Sequence, residues 1–143
     1  APEPNGKGAI LSMQKAMEMA GVNETQIGYI NTHGTASQKN DNAEAAAISQ
    51  LFPSQPYCSS TKPLTGHTLG AAGAQDLALC WLLLSRYNQE KQLPAQASNI
   101  IRDTNMDDIN LLTSPTTWCK PIFMSNSFGF AGSNVSLIIE RKN

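Results

Sequence analysis

The chain has 143 residues, of which 41% are hydrophobic and 15% charged, and its formal net charge at pH 7 is −1. These values suit one globular domain with a hydrophobic core, and they exclude collagen-like, coiled-coil and disordered chains. The near-zero net charge gives no strong basic field of the kind that nucleic-acid-binding surfaces carry, so no nucleic-acid partner is expected.

Three cysteines, Cys58, Cys80 and Cys119, lie far apart and form no C-x-x-C pair. This spacing predicts neither a zinc site nor a disulfide framework, and it favours reduced thiols in a cytoplasmic protein. The longest apolar stretch, residues 69–84, is shorter than the roughly 20 residues that a membrane span requires. No membrane association is therefore expected. Because the chain starts without Met, we expect it to be part of a longer protein.

The first predicted element is a helix in which Ile10, Met13 and Met17 recur at helical spacing. Gly21 follows the last of these residues and fits a helix C-cap, where glycine is favoured. A short apolar strand is predicted over residues 27–31.

A second helix is predicted to begin at Asp41 and to end near Leu51. Glu44 lies three residues after Asp41, as in a capping box. A second strand is predicted over residues 57–60. The long, nearly all-apolar segment 69–87 predicts a helix that is buried on most sides.

The last third of the chain predicts a closing hairpin. Residues 88–108 are polar and indicate a surface connection. Strands are predicted over residues 110–113, 122–125 and 134–140, with a glycine-rich turn at 126–133. The alternation of helices and strands implies an α/β sheet with crossover helices and an antiparallel end.

Small and polar residues follow three of the predicted strands, after Asn31, Ser60 and Ser125. Ligands gather at the carboxyl ends of strands in α/β proteins, so these three loops are expected to converge on one site. The only two histidines of the chain, His33 and His67, each lie in one of these loops. Two imidazoles facing one substrate can polarise a carbonyl group or stabilise an enolate.

Other interpretations of these residues remain open. A lone histidine is more often structural than catalytic, and metal ligation is the weaker alternative because no third ligand lies at suitable spacing. Lys62 could bind an anion or form a Schiff base, although most lysines are solvated. Glu44 is most simply a helix cap, yet it could pair with Lys62 and keep that lysine charged. The residues alone thus predict a two-histidine, one-lysine site for a carbonyl substrate, without a reaction.

Three motifs in order resemble those of the β-ketoacyl synthases. Residues 31–37 are similar to the first histidine motif, residues 60–74 to the lysine and second histidine motif, and residues 126–134 to the glycine-rich gatekeeper loop. The resemblance implies a thiolase-like half-fold, a five-stranded mixed sheet with helices packed on it. Residues 1–143 would form the C-terminal ketoacyl synthase domain. The nucleophilic cysteine would then lie in an N-terminal half that this chain does not include.

The resemblance implies an acyltransferase that performs a decarboxylative Claisen condensation. Malonyl-acyl carrier protein and an acyl-enzyme thioester would give 3-oxoacyl-acyl carrier protein in fatty acid or polyketide-type biosynthesis. The implied partners are acyl carrier protein with phosphopantetheine-linked acyl and malonyl groups, the N-terminal half of the same enzyme, and a second protein in a homodimer or heterodimer. No cofactor and no metal are implied, and this chain alone is expected to be incomplete and inactive.

The resemblance also assigns roles to site residues. His33 and His67 would donate hydrogen bonds to the malonyl thioester carbonyl and stabilise the enolate. Lys62 would pair with Glu44 and hold the region around both histidines in place.

Further residues match positions that bind the substrate arm and the acyl group. Thr35 and Ser37 match positions that contact pantetheine. The backbone N–H of Phe130 matches an oxyanion-hole donor, and the rings of Phe128 and Phe130 would gate the acyl pocket. None of the three cysteines falls in the family's nucleophile motif, so we interpret them as ordinary core or near-surface thiols.

The chain departs from the family pattern at four positions. Ser37 replaces a usual threonine, Asp76 stands where glutamate is common, and Asn40 stands where glycine is frequent. Asparagine tolerates left-handed backbone geometry best among the other residues. Ala131 replaces a glycine of the gatekeeper loop, where it would strain a backbone that needs positive φ.

Two other functions compete with an active condensing enzyme. A non-catalytic partner of the chain-length-factor kind would shape the pocket of an active synthase. Such partners tend to lose the histidines, so His33, His67 and Lys62 favour the enzyme. An autonomous binding module is disfavoured, because a half-fold would expose a broad apolar face.

Overall fold

The computed structural model describes residues 6–34, 38–62, 71–96, 108–129 and 133–142. Their helices and strands, in chain order, are α1 (Lys7–Ala20), β1 (Tyr29–Asn31), α2 (Gln38–Leu51), β2 (Tyr57–Ser59), α3 (Ala72–Leu84), β3 (Gln92–Leu93), β4 (Thr116–Thr117), β5 (Ile122–Phe128) and β6 (Asn134–Glu140). A short 3-10 helix, Glu24–Gln26, precedes β1. No helix within these ranges is long and apolar enough to cross a membrane.

The main sheet has the strand order β2-β1-β5-β6. Strand β1 pairs in parallel with both β2 and β5, whereas β5 and β6 form an antiparallel hairpin. The predicted α/β class and the antiparallel end are therefore confirmed. Helix α2 connects the adjacent parallel strands β1 and β2, as a crossover helix is expected to do.

The prediction of a fifth strand at residues 110–113 is wrong for the described sheet, which has four strands. This segment lies along β2, where Cys58 N–H donates to the Asn110 oxygen and Leu112 N–H donates to the Cys58 oxygen, both at 2.9 Å. The pairing ends after a single bridge at Leu111. A bend follows, and Pro115 has no N–H with which to continue a ladder.

The two faces of the sheet pack against different helices. Ile30, Cys58 and Met124 contact α1 and α2 on one face. Tyr29 and Phe123 contact α3 on the other face, together with parts of the β3–β4 region. Burial on both faces is what parallel strands require. Each face can thus bring different side chains to the carboxyl edge of the sheet.

Helix α1 forms as its apolar spacing predicts. Met13 and Met17 are buried, and Ile10 packs against the same core. Gly21 caps the helix with φ 68°, and its N–H donates to the Glu18 oxygen at 3.2 Å. This left-handed cap is available to glycine without a steric cost.

Helix α2 starts three residues earlier than predicted, at Gln38 rather than Asp41. Asp41 therefore lies in the first turn, and Asn40 has helical rather than left-handed geometry. The predicted capping box is also wrong. The carboxylate of Glu44 accepts hydrogen bonds from the loop after β1, so it is not turned back to its own helix terminus.

Helix α3 is shorter and more exposed than predicted. Within the described residues it spans Ala72–Leu84, and residues 63–70 lie outside them. Its buried positions include Asp76, Cys80 and Leu84, one helical turn apart. Trp81 and Leu82 are 53% and 47% exposed, so the prediction of burial on most sides is wrong. An apolar helix with an exposed apolar face is typical of an interaction surface.

The predicted surface connection at residues 88–108 is also only partly correct. Strand β3 lies within it and pairs with β4, and residues 97–107 are outside the described ranges. Leu93 of β3 is buried against Trp118 and Phe123, which gives this polar segment an apolar anchor.

We predict that Gly28→Ala destabilises the protein by at least about 2 kcal/mol, because a Cβ at this position would overlap the backbone oxygen of Lys120. The matched control is Gly21→Ala. Its Cβ would meet nothing within 4 Å, leaving only the cost of left-handed geometry, about 1 kcal/mol. Urea unfolding of both variants measures the difference. Equal losses would contradict the close packing of the chain at Gly28.

Candidate active site

The candidate site lies at the carboxyl ends of β1, β2 and β5. Asn31, Ser59 and Ser125 are adjacent in register there. Strands β1 and β2 end at this level, and β5 continues for three more residues to Phe128. The loop after β1 contains His33 and the segment after β2 contains Lys62. Both side chains are buried. The carboxyl ends of β1 and β2 therefore lie side by side with β5 at this edge, whereas the prediction that β5 ends at Ser125 and that a turn begins at residue 126 is wrong. Convergence of the three loops stays a prediction, because residues 35–37, 63–70 and 130–132 lie outside the described ranges.

Glu44 fixes the backbone of the first histidine loop. Its Oε1 accepts the N–H of His33 at 2.9 Å, and its Oε2 accepts the N–H of Gly34 at 3.3 Å. Thr32 N–H donates to the Ser59 oxygen at 3.0 Å, which ties the start of the loop to β2. One carboxylate thus holds two consecutive amides, and the position of His33 follows from them.

Gly34 is required by this arrangement. Its φ is 47°, and a Cβ there would come within 2.5 Å of the Ser60 side chain. A larger residue would push the loop after β1 away from β2. Glycine therefore permits the close approach of the two loops.

The carboxyl group of Glu44 has an unusual pKa because it is fully buried. Burial raises the pKa of Glu44 from 4.5 to about 7, against the lowering effect of hydrogen bonds from His33, Gly34 and Asn126. Nearby Asp41 adds a smaller upward contribution. The three donors favour the ionised form, and they oppose the cost of placing a negative charge in the protein interior.

Lys62 pairs with Asp76, and the predicted Lys62–Glu44 pair is wrong. The Nζ atom of Lys62 lies 3.0 Å from Oδ2 of Asp76, and both side chains are about 95% buried. The reason is the placement of the helices on the sheet. Glu44 is on α2, which packs on the Ile30 face, whereas Asp76 is on α3, which packs on the opposite face.

Phe128, at the end of β5, brings the third predicted motif to the same edge. The centroid of its ring is 5.9 Å from that of the His33 ring, with a tilt of 51° between the planes. Phe128 and His33 therefore lie side by side, as convergence of the first and third motifs requires.

Several predicted site residues lie outside the described ranges: His67, Thr35, Ser37 and Phe130, together with Ala131. The meeting of His33 and His67 accordingly stays a prediction, as do the pantetheine, oxyanion and gating roles.

The sequence reasoning missed the contribution of Asn126 and the pairing partner of Lys62. The Nδ2 of Asn126 donates to Oε1 of Glu44 at 3.3 Å, and the Asn126 side chain is fully buried. Asp76 departs from the family pattern, and the sequence alone assigns it no partner. A carboxylate in an otherwise apolar helix was the signal, because such a charge needs a buried counter-charge.

The cysteines do not have the properties of activated nucleophiles. Cys58 and Cys80 are buried and Cys119 is exposed, which confirms the interpretation as core and near-surface thiols. Burial raises the pKa of Cys58 well above its ordinary range, and it raises the pKa of Cys80 to about 12. Both thiols are therefore protonated at neutral pH, and the thiolate is the reactive form. The described ranges also contain no group of three or more His, Cys, Asp or Glu residues that could hold a metal ion.

Comparison with known proteins assigns the family. Residues 1–97 match the model of the β-ketoacyl synthase C-terminal domain. The chain therefore belongs to the β-ketoacyl synthase family, as the three motifs predicted. It is 41% identical over 141 residues to 3-oxoacyl-[acyl-carrier-protein] synthase 1 of Buchnera aphidicola, covering 96% of this chain and 33% of the relative. The corresponding enzyme of Escherichia coli is 39% identical over 140 residues, covering 96% of this chain and 32% of the relative.

Solved structures with a similar fold include a β-ketoacyl synthase and a complex of a ketosynthase with its chain length factor. A chain of the ketosynthase ApeO in complex with its chain length factor ApeC, from Xenorhabdus doucetiae, superposes with a TM-score of 0.88 and 49% identity, covering 96% of this chain and 34% of that one. A β-ketoacyl synthase from Burkholderia phymatum has a TM-score of 0.89 and 28% identity, with 98% and 34% coverage. The expected thiolase-like half-fold is thus confirmed. The chain spans about one third of the length of these relatives.

We predict that Asp76→Asn destabilises the protein by about 3–5 kcal/mol, because it leaves the buried ammonium group of Lys62 without a counter-charge. Replacing both partners, as in Lys62→Met with Asp76→Leu, should restore most of that loss, since no charge is then buried. Urea unfolding measures both. An Asp76→Asn variant that is as stable as wild type would contradict the buried ion pair.

We also predict that the titration of Glu44 makes the free energy of unfolding depend on pH. The pKa of Glu44 in the folded protein lies above the value of 4.5, so the folded state keeps a proton that the unfolded chain releases. Stability from this group falls as pH rises from about 4.5 to about 7, by about 3 kcal/mol in total. Glu44→Gln removes the titration. The free energy of unfolding of wild type should therefore decrease relative to that of the variant over this interval. Parallel curves would contradict the raised pKa.

Proposed function

We propose that this chain is the C-terminal part of an acyltransferase, a 3-oxoacyl-[acyl-carrier-protein] synthase that performs decarboxylative Claisen condensation. The observation that carries the proposal is the buried His33, whose backbone Glu44 holds at the carboxyl edge of a ketosynthase-type sheet. The family assignment and the names of the curated relatives support the same reaction.

The proposed reaction needs a stabilised enolate. The bond between the carboxylate and the α-carbon of the malonyl thioester breaks and releases CO2, and the electron pair enters an enolate. The α-carbon then attacks the carbonyl carbon of the acyl-cysteine thioester. Collapse of that intermediate expels the cysteine thiolate and leaves a 3-oxoacyl thioester on the carrier protein. Hydrogen-bond donors at the malonyl thioester oxygen lower the barrier to the first step.

His33 and His67 are the proposed donors to that oxygen. His33 is suited to this role because its backbone is fixed by Glu44, so its imidazole needs little reorganisation when charge develops. Lys62 and Asp76 would set the local field and hold the segment that leads to His67. Lys62 thus keeps its proposed supporting role with Asp76 as its partner, and Glu44 acts instead by holding the backbone of His33 and Gly34.

The remaining roles follow from the motifs. Thr35 and Ser37 would bind the pantetheine arm of the carrier protein. The N–H of Phe130 would stabilise the oxyanion of the acyl-enzyme, and the rings of Phe128 and Phe130 would close the acyl pocket. Contact between the rings of Phe128 and His33 supports a place for Phe128 at this pocket.

The proposed partners are an acyl carrier protein with acyl or malonyl groups, the N-terminal half of the same enzyme, and a second protein in a homodimer or heterodimer. The α3 side of the sheet exposes apolar residues that such packing would bury: Trp81, Leu82, Val135 and Leu137. The N-terminal half would also supply the nucleophilic cysteine. The proposed pathway is fatty acid or polyketide-type synthesis, in the cytoplasm.

A chain-length-factor-like subunit is the second candidate, because the ApeO structure contains such a partner. The described site favours the enzyme. A subunit without chemistry has no need to keep His33, its Glu44 support and the buried Lys62–Asp76 pair together.

The test is His33→Ala and His67→Ala in the full-length protein. Each should lower condensation by at least about 10²-fold, because a donor to the developing enolate is lost. Acyl transfer to the cysteine should stay largely intact, and mass spectrometry of the trapped acyl-enzyme measures it. Loss of both steps together would show that the roles are misassigned. Unchanged condensation would overturn the proposed function.

A further inference from the structure

A chain of hydrogen bonds leads from the first helix to the histidine loop. The hydroxyl group of Ser12 on α1 donates to the hydroxyl of Ser136 on β6 at 2.9 Å. The Ser136 hydroxyl donates in turn to Oδ1 of Asn126 on β5 at 2.8 Å. Since Ser136 and Asn126 are direct partners across the antiparallel pair, their side chains lie on the same face of the sheet.

The side-chain amide of Asn126 continues the chain to Glu44. Its Nδ2 donates to Oε1 of Glu44 at 3.3 Å and lies 3.4 Å from the sulfur of Met13. A flipped amide would instead direct Oδ1 at the carboxylate and at the sulfur, two acceptors. It would also direct Nδ2 at the Ser136 hydroxyl. The two acceptors, Glu44 and the sulfur of Met13, therefore set the amide orientation, and the Ser136 hydroxyl completes it by donating to Oδ1.

Three N–H donors of this network converge on the carboxylate of Glu44. Glu44 receives the amide of Asn126 from one side and the backbone N–H groups of His33 and Gly34 from the other. From Ser12 to Glu44 the hydrogen bonds follow one another in the same direction, and such bonds strengthen each other in a protein interior. A change at Ser136 therefore reaches the His33 backbone through two intervening side chains, those of Asn126 and Glu44.

We propose that Ser136, supported by Ser12, is a positioning residue for the His33 loop. It holds the Asn126 amide so that Asn126 and the His33–Gly34 backbone share the carboxylate of Glu44. The expected effect on the condensation rate rests on the proposed function. The expected effect on the hydrogen bonds of the His33 and Gly34 amides does not depend on that function.

The experiment compares Ser136→Ala with Ser136→Thr in the full-length protein. Threonine keeps the hydroxyl and suits a strand, so it should restore wild-type behaviour. Ser49→Ala is the matched control, because Ser49 is an exposed serine on α2, the helix that carries Glu44. Ser12→Ala removes only the hydroxyl that donates to Ser136. It should change amide exchange and kcat in the same direction as Ser136→Ala, but by less.

The first measurement is hydrogen exchange at the amides of residues 33 and 34. In Ser136→Ala these two amides should exchange about tenfold faster, while core amides of β1 and β5 keep their protection. The second is steady-state condensation, for which kcat should fall about three- to tenfold with KM unchanged. Ser136→Thr and Ser49→Ala should match wild type in both.

Two results would overturn the positioning role. The first is exchange at residues 33 and 34 that does not change in Ser136→Ala. The second is exchange that accelerates uniformly along the chain, as a general loss of stability would cause. A wild-type protein that does not condense would overturn the proposed function instead, and the exchange measurement still decides the positioning role in that case.

Discussion

The buried carboxylate of Glu44 is the interaction on which the site depends. It lies in the interior without a contacting lysine or arginine among the described residues, and three N–H donors oppose the rise in its pKa that burial causes. Those donors come from the loop after β1 and from β5. The hydrogen bonds to this one carboxyl group therefore bring the first histidine motif and the start of the glycine-rich motif, which are far apart in sequence, into contact. Movement of the loop that carries His33 would remove two of these donors from a buried carboxyl group, which is costly.

The two acidic residues of the site act on opposite faces of the sheet. Glu44 organises the face that packs on α1 and α2, and Asp76 organises the α3 face by pairing with Lys62. This division explains why one lysine and two carboxylates are needed at a single edge. It also separates their functions, since Glu44 holds a backbone whereas Asp76 neutralises a charge. The exposed apolar part of α3 continues from the Lys62–Asp76 side, where the rest of the protein is expected to pack.

Much of this could be predicted from local pattern. The spacing of Met13 and Met17, the cap at Gly21 and the closing hairpin follow from short-range rules. The meeting of β1, β2 and β5 at one edge follows from sheet topology. The partner of Lys62 could not be predicted in this way, because sequence proximity does not say which face of the sheet each helix covers. The role of Asn126 could not be predicted either, because it depends on contacts between distant parts of the chain. Its partners lie 82 and 113 residues away in the chain.

The most direct test of the account is a crystal structure of the full-length protein with a non-reactive malonyl thioester analogue. The account predicts that ring nitrogens of His33 and His67 both lie within about 3 Å of the thioester carbonyl oxygen, with Glu44 still bound to the His33 and Gly34 amides. An analogue whose carbonyl oxygen contacts neither ring, or rings that occupy separate surroundings, would contradict it.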